Sequence, residues 1–245
     1  MKLEFLEKDN YYHIYNRGIN SAAIFKDAEN MRYFLTLVSN YFSNKISILS
    51  YCLLKNHFHF LVKINCENEE ATQIFSNLFK TYARAYNTQQ NSTGSLFEEH
   101  FKRKKIVSNE YLRNLIIYIH RNPENHNIID DFRKYNFSSY QEIISENNDF
   151  VKINETIHAF NDLDNLIFVH KNKNLQDIQN LIDFDSQVNP IEKQDTHKVL
   201  KTLQKEKISF KNKFYKYLEH LQDAITSKLE DVDGLAKFEE DVWET

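Results

Sequence analysis

Apolar residues recur along this chain at two spacings, and the switch between them lays out the elements of its first half. Alternating or β-branched runs mark strands, while recurrence every three and four residues marks helices. Tyr11 to Arg17 reads as a strand closed by a turn at Gly18. Asp27 to Phe42 sets Met31, Phe34, Leu35 and Val38 on one stripe, which predicts a helix capped by Asp27. Ile46 to Leu54 and His57 to Ile64 flank a short polar break at Lys55-Asn56 and predict a hairpin. Glu69 to Tyr86 aligns Ile74, Leu78, Tyr82 and Ala85 as a second helix, and the polar stretch Asn87 to Gly94 predicts a mobile loop. Phe97 to Val107 reads as a fourth strand. Asn109 to Asn122 carries Leu112, Leu115, Ile116 and Ile119 at helical spacing behind Ser108 as cap, and Pro123 is expected to end that helix by disfavouring helical geometry at Asn122. Strand, helix, strand, strand, helix, strand is the order of an α+β, ferredoxin-like βαββαβ sheet, with the Asn109 helix packed on it.

Past Tyr140 the pattern changes. Ile153 to His170 and Leu175 to Phe184 are short apolar-striped segments; beyond Pro190, Ile191 to Glu206 and Phe210 to Leu229 are amphipathic helices. The expected organisation is a domain over residues 1–150 followed by a helical C-terminal extension over 151–245. The extension could clamp a nucleic-acid hairpin, cover a site or mediate self-association, or it could be a stabilising cap.

Two short stretches carry the candidate chemistry. On a strand, His57 and His59 leave one face while Phe58, Phe60 and Val62 leave the other, so two imidazoles converge above a hydrophobic floor. Neutral imidazoles suit Zn, Mn, Ni or Cu, and with an oxygen donor added they suit Mg or Mn. The competing reading is a half-buried strand whose histidines only make hydrogen bonds. On the following helix Tyr118 and Asn122 stand four residues apart and share a face, which presents a phenol beside a carboxamide oxygen. Between them His120 lies roughly on another face and reads equally as packing, a DNA contact or a distant ligand.

These stretches resemble known motifs. His57-Phe58-His59 is similar to the His-hydrophobic-His motif of the HUH endonucleases, and Tyr118 four residues before Asn122 resembles their single-tyrosine helix. The chain looks more closely like the IS200-type transposases, in the branch of REP-associated tyrosine transposases. The landmarks are Tyr12 to Gly18, Phe25, Ser50 to His59, Gly94 to Phe97, Tyr118 to Pro123 and Phe137 to Tyr140, in that family's order over residues 11 to 143. The resemblance implies that His57, His59 and Asn122 hold one divalent ion, Mg or Mn, and that Tyr118 is the nucleophile. Attack on single-stranded DNA, beside a hairpin, would then leave a 5′-phosphotyrosine link and a free 3′-hydroxyl. Some family members carry another amide or acid at the third ligand position, and Asn122 makes a neutral, weaker set, so Zn or Mn remains a fitting occupant. Both monomers and homodimers occur among such enzymes; the long tail here points to a monomer.

Composition and charge narrow the picture without changing it. The chain has 245 residues, 41% of them hydrophobic and 27% charged, as an ordinary globular protein has. No apolar run approaches the roughly 18 residues of a membrane span, and Met1 to Glu4 starts no signal-peptide core, so a cytoplasmic protein is expected. Cys52 and Cys66 form no metal or disulfide framework. The net charge of −4 looks unsuited to a nucleic-acid partner until it is divided. Residues 1–150 hold 18 Lys and Arg against 17 Asp and Glu, whereas the remainder holds 13 against 18, so the extension is the acidic part. Eight basic residues between Lys80 and Arg121 face only three acidic ones, the footprint expected of a phosphate-binding stripe, although a solvated charged face gives the same pattern. Arg17, Lys102, Arg103, Lys104, Lys105 and Arg121 are the candidate DNA contacts. Tyr82, Tyr86 and Phe101 are either stacking surfaces or core.

Two functional classes follow. One is a metal-dependent single-strand endonuclease and transposase; the other is a hairpin-binding regulator that keeps the fold without the chemistry.

Overall fold

The computed structural model describes residues 4–146 and 150–174. The chain divides into two compact units, residues 1–186 and 187–245, and every described residue lies in the first. The helices expected at 175–184, 191–206 and 210–229 fall outside the described residues.

Strand β1 spans Tyr11–Arg17, β2 Ile46–Leu54, β3 His57–Ile64 and β4 Lys102–Lys105. They form one antiparallel sheet in the order β2-β3-β1-β4, the ferredoxin-like arrangement. Helices α1 (Ala28–Phe42) and α2 (Asn68–Gln90) cover one face, and α3 (Asn109–Asn125) serves the other. Alternation decides which side chains meet which helices. Phe58 and Phe60 look toward α1, where Phe34 packs at 5.3 Å and 6.2 Å between ring centroids, and Phe79 of α2 stands 5.5 Å from Phe58. Each fully buried phenylalanine of this layer contributes about 1.5–3 kcal/mol of transfer free energy. His57 and His59, opposite in direction, look toward α3.

The caps agree with the sequence. Asp27 accepts from the Asn30 amide and Ser108 from the Tyr111 amide. Gly18 is required by close approach: its amide donates to the Asn56 carbonyl at 2.9 Å, and a Cβ there would lie 2.1 Å from the Ala22 carbonyl oxygen.

Three boundaries differ from expectation, each for a local reason. Helix α2 runs on to Gln90 and ends at Asn91 in the left-handed region, because its polar last turn is docked: Gln89 accepts from Asn30 and Gln90 from Lys26, both at 2.7 Å. Helix α2 thus takes up the first part of the expected Asn87 to Gly94 loop. The fourth strand is confined to Lys102–Lys105, since His100 at φ 60° breaks the extended run after an isolated bridge between Gly18 and Phe97. Pro123 does not end α3. It sits inside the last turn, where it removes one N–H, and the turn closes through the His126 amide donating to the Asn122 carbonyl at 3.1 Å.

Helices α4 (Tyr140–Ser145), α5 (Ile153–His158) and α6 (Leu163–Asn172) complete the described chain. The edge of β2 is covered rather than exposed: Leu53 donates to the Phe137 carbonyl, Ser139 to that of Tyr51, and Lys152 to that of Ile48. Thr156 bonds the Leu49 carbonyl at 2.9 Å, and Tyr11 bonds Glu155. Among the described residues no helix is long and apolar enough to cross a membrane.

Candidate functional site

The site forms where β3, β1 and the face of α3 that carries Tyr118 and Asn122 meet. His57 Nε2 stands 3.2 Å from Asn122 Oδ1, and its Nδ1 stands 2.8 Å from Asn56 Oδ1. The His59 ring packs at 5.2 Å against His57 and edge-on at 5.5 Å against Tyr118. The sequence-expected group of His57, His59, Tyr118 and Asn122 therefore assembles within one chain. Three further residues join it. His13 Nε2 is 2.9 Å from His59 Nδ1, Tyr15 stacks at 5.6 Å on His59, and the His126 ring lies 5.0 Å from His57. His126 is one helical turn past Asn122, in the turn that continues through Pro123, so treating Pro123 as the helix end hid it. His13 and Tyr15 were hidden because the register of β1 on β3 is needed to see that Tyr15 pairs with His59.

Beside these rings opens a cavity of about 620 Å³, whose walls include Tyr15, Arg17, Asn56, His57, His59, Lys102 and His126. Tyr118 and Asn122 are not among its lining residues, and Asn122 is fully buried. Burial, then the neighbouring His126, Asn122 and Arg17, sets the His57 imidazole at about 4, with the Asn122 bond opposing the fall. Burial first, and then His13, His57 and His126, holds His59 well below its ordinary value. Both rings are consequently neutral at neutral pH, the state that ligates a metal.

The donor set fits one divalent ion. A neutral imidazole has a single N–H, yet His57 faces an amide oxygen from each ring nitrogen. If Nδ1 donates to Asn56, then Nε2 meets Asn122 Oδ1 lone pair to lone pair, an arrangement that a cation reconciles. Two donors held about 2.1 Å from one ion at a right angle lie about 3 Å apart, close to the observed 3.2 Å. Asn122 Nδ2 is buried without a hydrogen-bond partner, a cost of about 1–3 kcal/mol. Turned over, the same amide would donate to Nε2, so the pair would be hydrogen-bonded without an ion and could ligate one when present. Among the described residues no group of three or more His, Cys, Asp or Glu side chains is placed to hold a metal by itself.

The basic run is divided by its strand. Lys102 faces the cavity, while Lys104 lies 4.9 Å over the Tyr111 ring. On the opposite face Arg103 bonds Thr72 and stacks on Phe101, and Lys105 pairs with Glu7 at 2.6 Å. Arg17 lines the cavity in an ion pair with Glu98. Arg121 is engaged elsewhere, with Glu124 and with the carbonyls of His170 and Lys173. His120 is wholly buried between His170 and Ser139, each at 2.9 Å, and is a packing residue. Tyr82 and Phe101 are core.

No family model matches this chain, and neither does any curated protein. Several solved chains match this one. Among them is the structure of a REP-associated tyrosine transposase bound to a REP hairpin, 14% identical, covering 59% of this chain and 85% of that one with a TM-score of 0.49.

Proposed function

We propose that this chain is a metal-dependent single-stranded DNA endonuclease and strand transferase, a transposase of the HUH single-tyrosine kind acting beside hairpin DNA. The observation that carries the reading is the convergence of Tyr118 on His59 and of Asn122 on His57 from elements some 65 residues apart. His57, His59 and Asn122 would hold the ion, Mg or Mn, which when bound supplies positive charge to a phosphate oxygen. Tyr118 Oη attacks the phosphorus, its proton passing to water; the bond to the 3′-oxygen breaks, and that oxygen takes a proton from water and leaves as a 3′-hydroxyl. The phosphotyrosine keeps the bond energy, so a 3′-hydroxyl attacking it reseals the strand and returns the phenol. Arg17 and Lys102, facing the cavity, meet the DNA backbone. The contact of the Tyr118 ring with His59 supports action within its own chain, as a monomer.

In the same reading residues 1–150 are the nuclease domain and the chain from 151 is an extension. Its described part is docked on the core through Glu155, Thr156 and His170. The second reading, a hairpin-binding regulator without chemistry, is favoured by the burial of Asn122 and by the place of Tyr118 outside the cavity wall.

Incubation with labelled single-stranded hairpin DNA and Mg or Mn, followed by denaturing electrophoresis, separates the two. The nuclease gives a metal-dependent protein-linked band that Tyr118→Phe abolishes. A regulator retards DNA in a native gel and gives no covalent product under any metal.

A further inference from the structure

We infer that His13 is a positioning residue for His59. Its Nε2 accepts the Nδ1–H of His59 and so locks the ring as the tautomer whose other nitrogen, Nε2, carries the lone pair for a ligand. The inference rests on the proposed metal reading of His57, His59 and Asn122.

The two rings are joined Nε2 to Nδ1 at 2.9 Å, with side chains only 3% and 7% exposed, so water does not compete for the bond. A buried neutral imidazole exists as one of two tautomers, and only one proton occupies the line between these nitrogens. If His13 donated, His59 would carry its own proton on Nε2 and present an N–H where a ligand needs a lone pair. If His59 donates, Nε2 is the ligating atom. For His59 to ligate through Nε2, His13 Nε2 must therefore be the acceptor on this line. Orientation is held as well: the His13 and Tyr15 rings pack 4.6 Å apart and lie 5.1 Å and 5.6 Å from the His59 ring, inclined to it by 23° and 27°. Partners of this kind on metal-bound histidines change affinity by about 10- to 100-fold when removed. On the other histidine, a proton on Nδ1 donated to Asn56 Oδ1 would likewise leave Nε2 of His57 with the lone pair.

The test uses the full chain with ¹⁵N-labelled histidine, free of metal, and reads the His59 tautomer from long-range proton–nitrogen couplings. Wild type is expected to show Nε2 unprotonated. His13→Phe, which fills the space but cannot accept, is expected to give a population protonated on Nε2, and His13→Gln, whose amide oxygen reaches the Nε2 position, to restore the wild-type pattern. Titration with Mn is then expected to show affinity about 10- to 100-fold weaker for His13→Phe and within about threefold for His13→Gln. A wild-type His59 protonated on Nε2, a tautomer indifferent to His13→Phe, or equal loss of affinity in both variants overturns the inference. Failure of the metal reading looks different: the tautomer responds as expected while wild type takes up no Mn.

Discussion

His57 of β3 and Asn122 of α3 face each other through Nε2 and Oδ1 at 3.2 Å, and no proton of His57 can satisfy both this oxygen and that of Asn56. A cation between them would reconcile the two oxygens, as would an Asn122 amide turned over to donate. Asn122→Asp keeps the donor oxygen and adds a charge, so it is expected to bind Mn more tightly than wild type; Asn122→Leu removes the donor and is expected to weaken binding at least tenfold. Isothermal titration checks both. Equal affinity in all three proteins would remove Asn122 from the ligand set.

Burial makes the histidines sensitive to acid. His57 and His170 are pushed to about 4 and His13 to about 3, in each case chiefly by burial, while the unfolded chain protonates near 6.5. Between those values the unfolded state binds more protons, so stability is full above about 6.5 and is lost as pH falls toward 4. Each group contributes a slope of up to about 1.4 kcal/mol per pH unit. Urea midpoints at pH 7.5, 6 and 5 should fall progressively, in a range above most carboxylate titrations. A flat profile would show that these rings are reached by water.

The tetrabasic run makes a sharper distinction than its sequence suggests. Lys102→Ala is expected to weaken single-stranded DNA binding and to lower the slope of log K against log salt by about 0.7, the share of one phosphate contact. Lys105→Ala, which removes a partner of Glu7, is expected to leave that slope unchanged. Identical slopes for the two variants would contradict the division of β4 into two faces.

Much of this was legible beforehand, and the misses have physical causes. Alternation along His57 to Val62 separated the face of His57 and His59 from the Phe58 and Phe60 floor, and four-residue spacing put Tyr118 and Asn122 on one face of α3. Strand order followed from element order. Register did not: His13 and Tyr15 enter the site only because β1 pairs with β3 so that Tyr15 meets His59. His126 was concealed by reading Pro123 as a stop, when a proline in a last turn forfeits one hydrogen bond and the helix closes around it. Arg121 belonged to a charge stripe in sequence and to the end of α6 in space, a long-range pairing that no local pattern announces.

If Tyr118 acts in its own chain, Tyr118→Phe mixed with His59→Ala should cleave no DNA. Recovery of cleavage in the mixture, above either variant alone, would show that the tyrosine of one chain reaches the histidines of another.

The most direct test is to digest the covalent DNA adduct with protease and nuclease and locate the modified residue by mass spectrometry. The account predicts a nucleotide joined through its 5′-phosphate to the Tyr118 peptide, formed only with a divalent metal. An adduct on Tyr15, which lines the cavity and stacks on His59, or no adduct despite DNA binding, would contradict it.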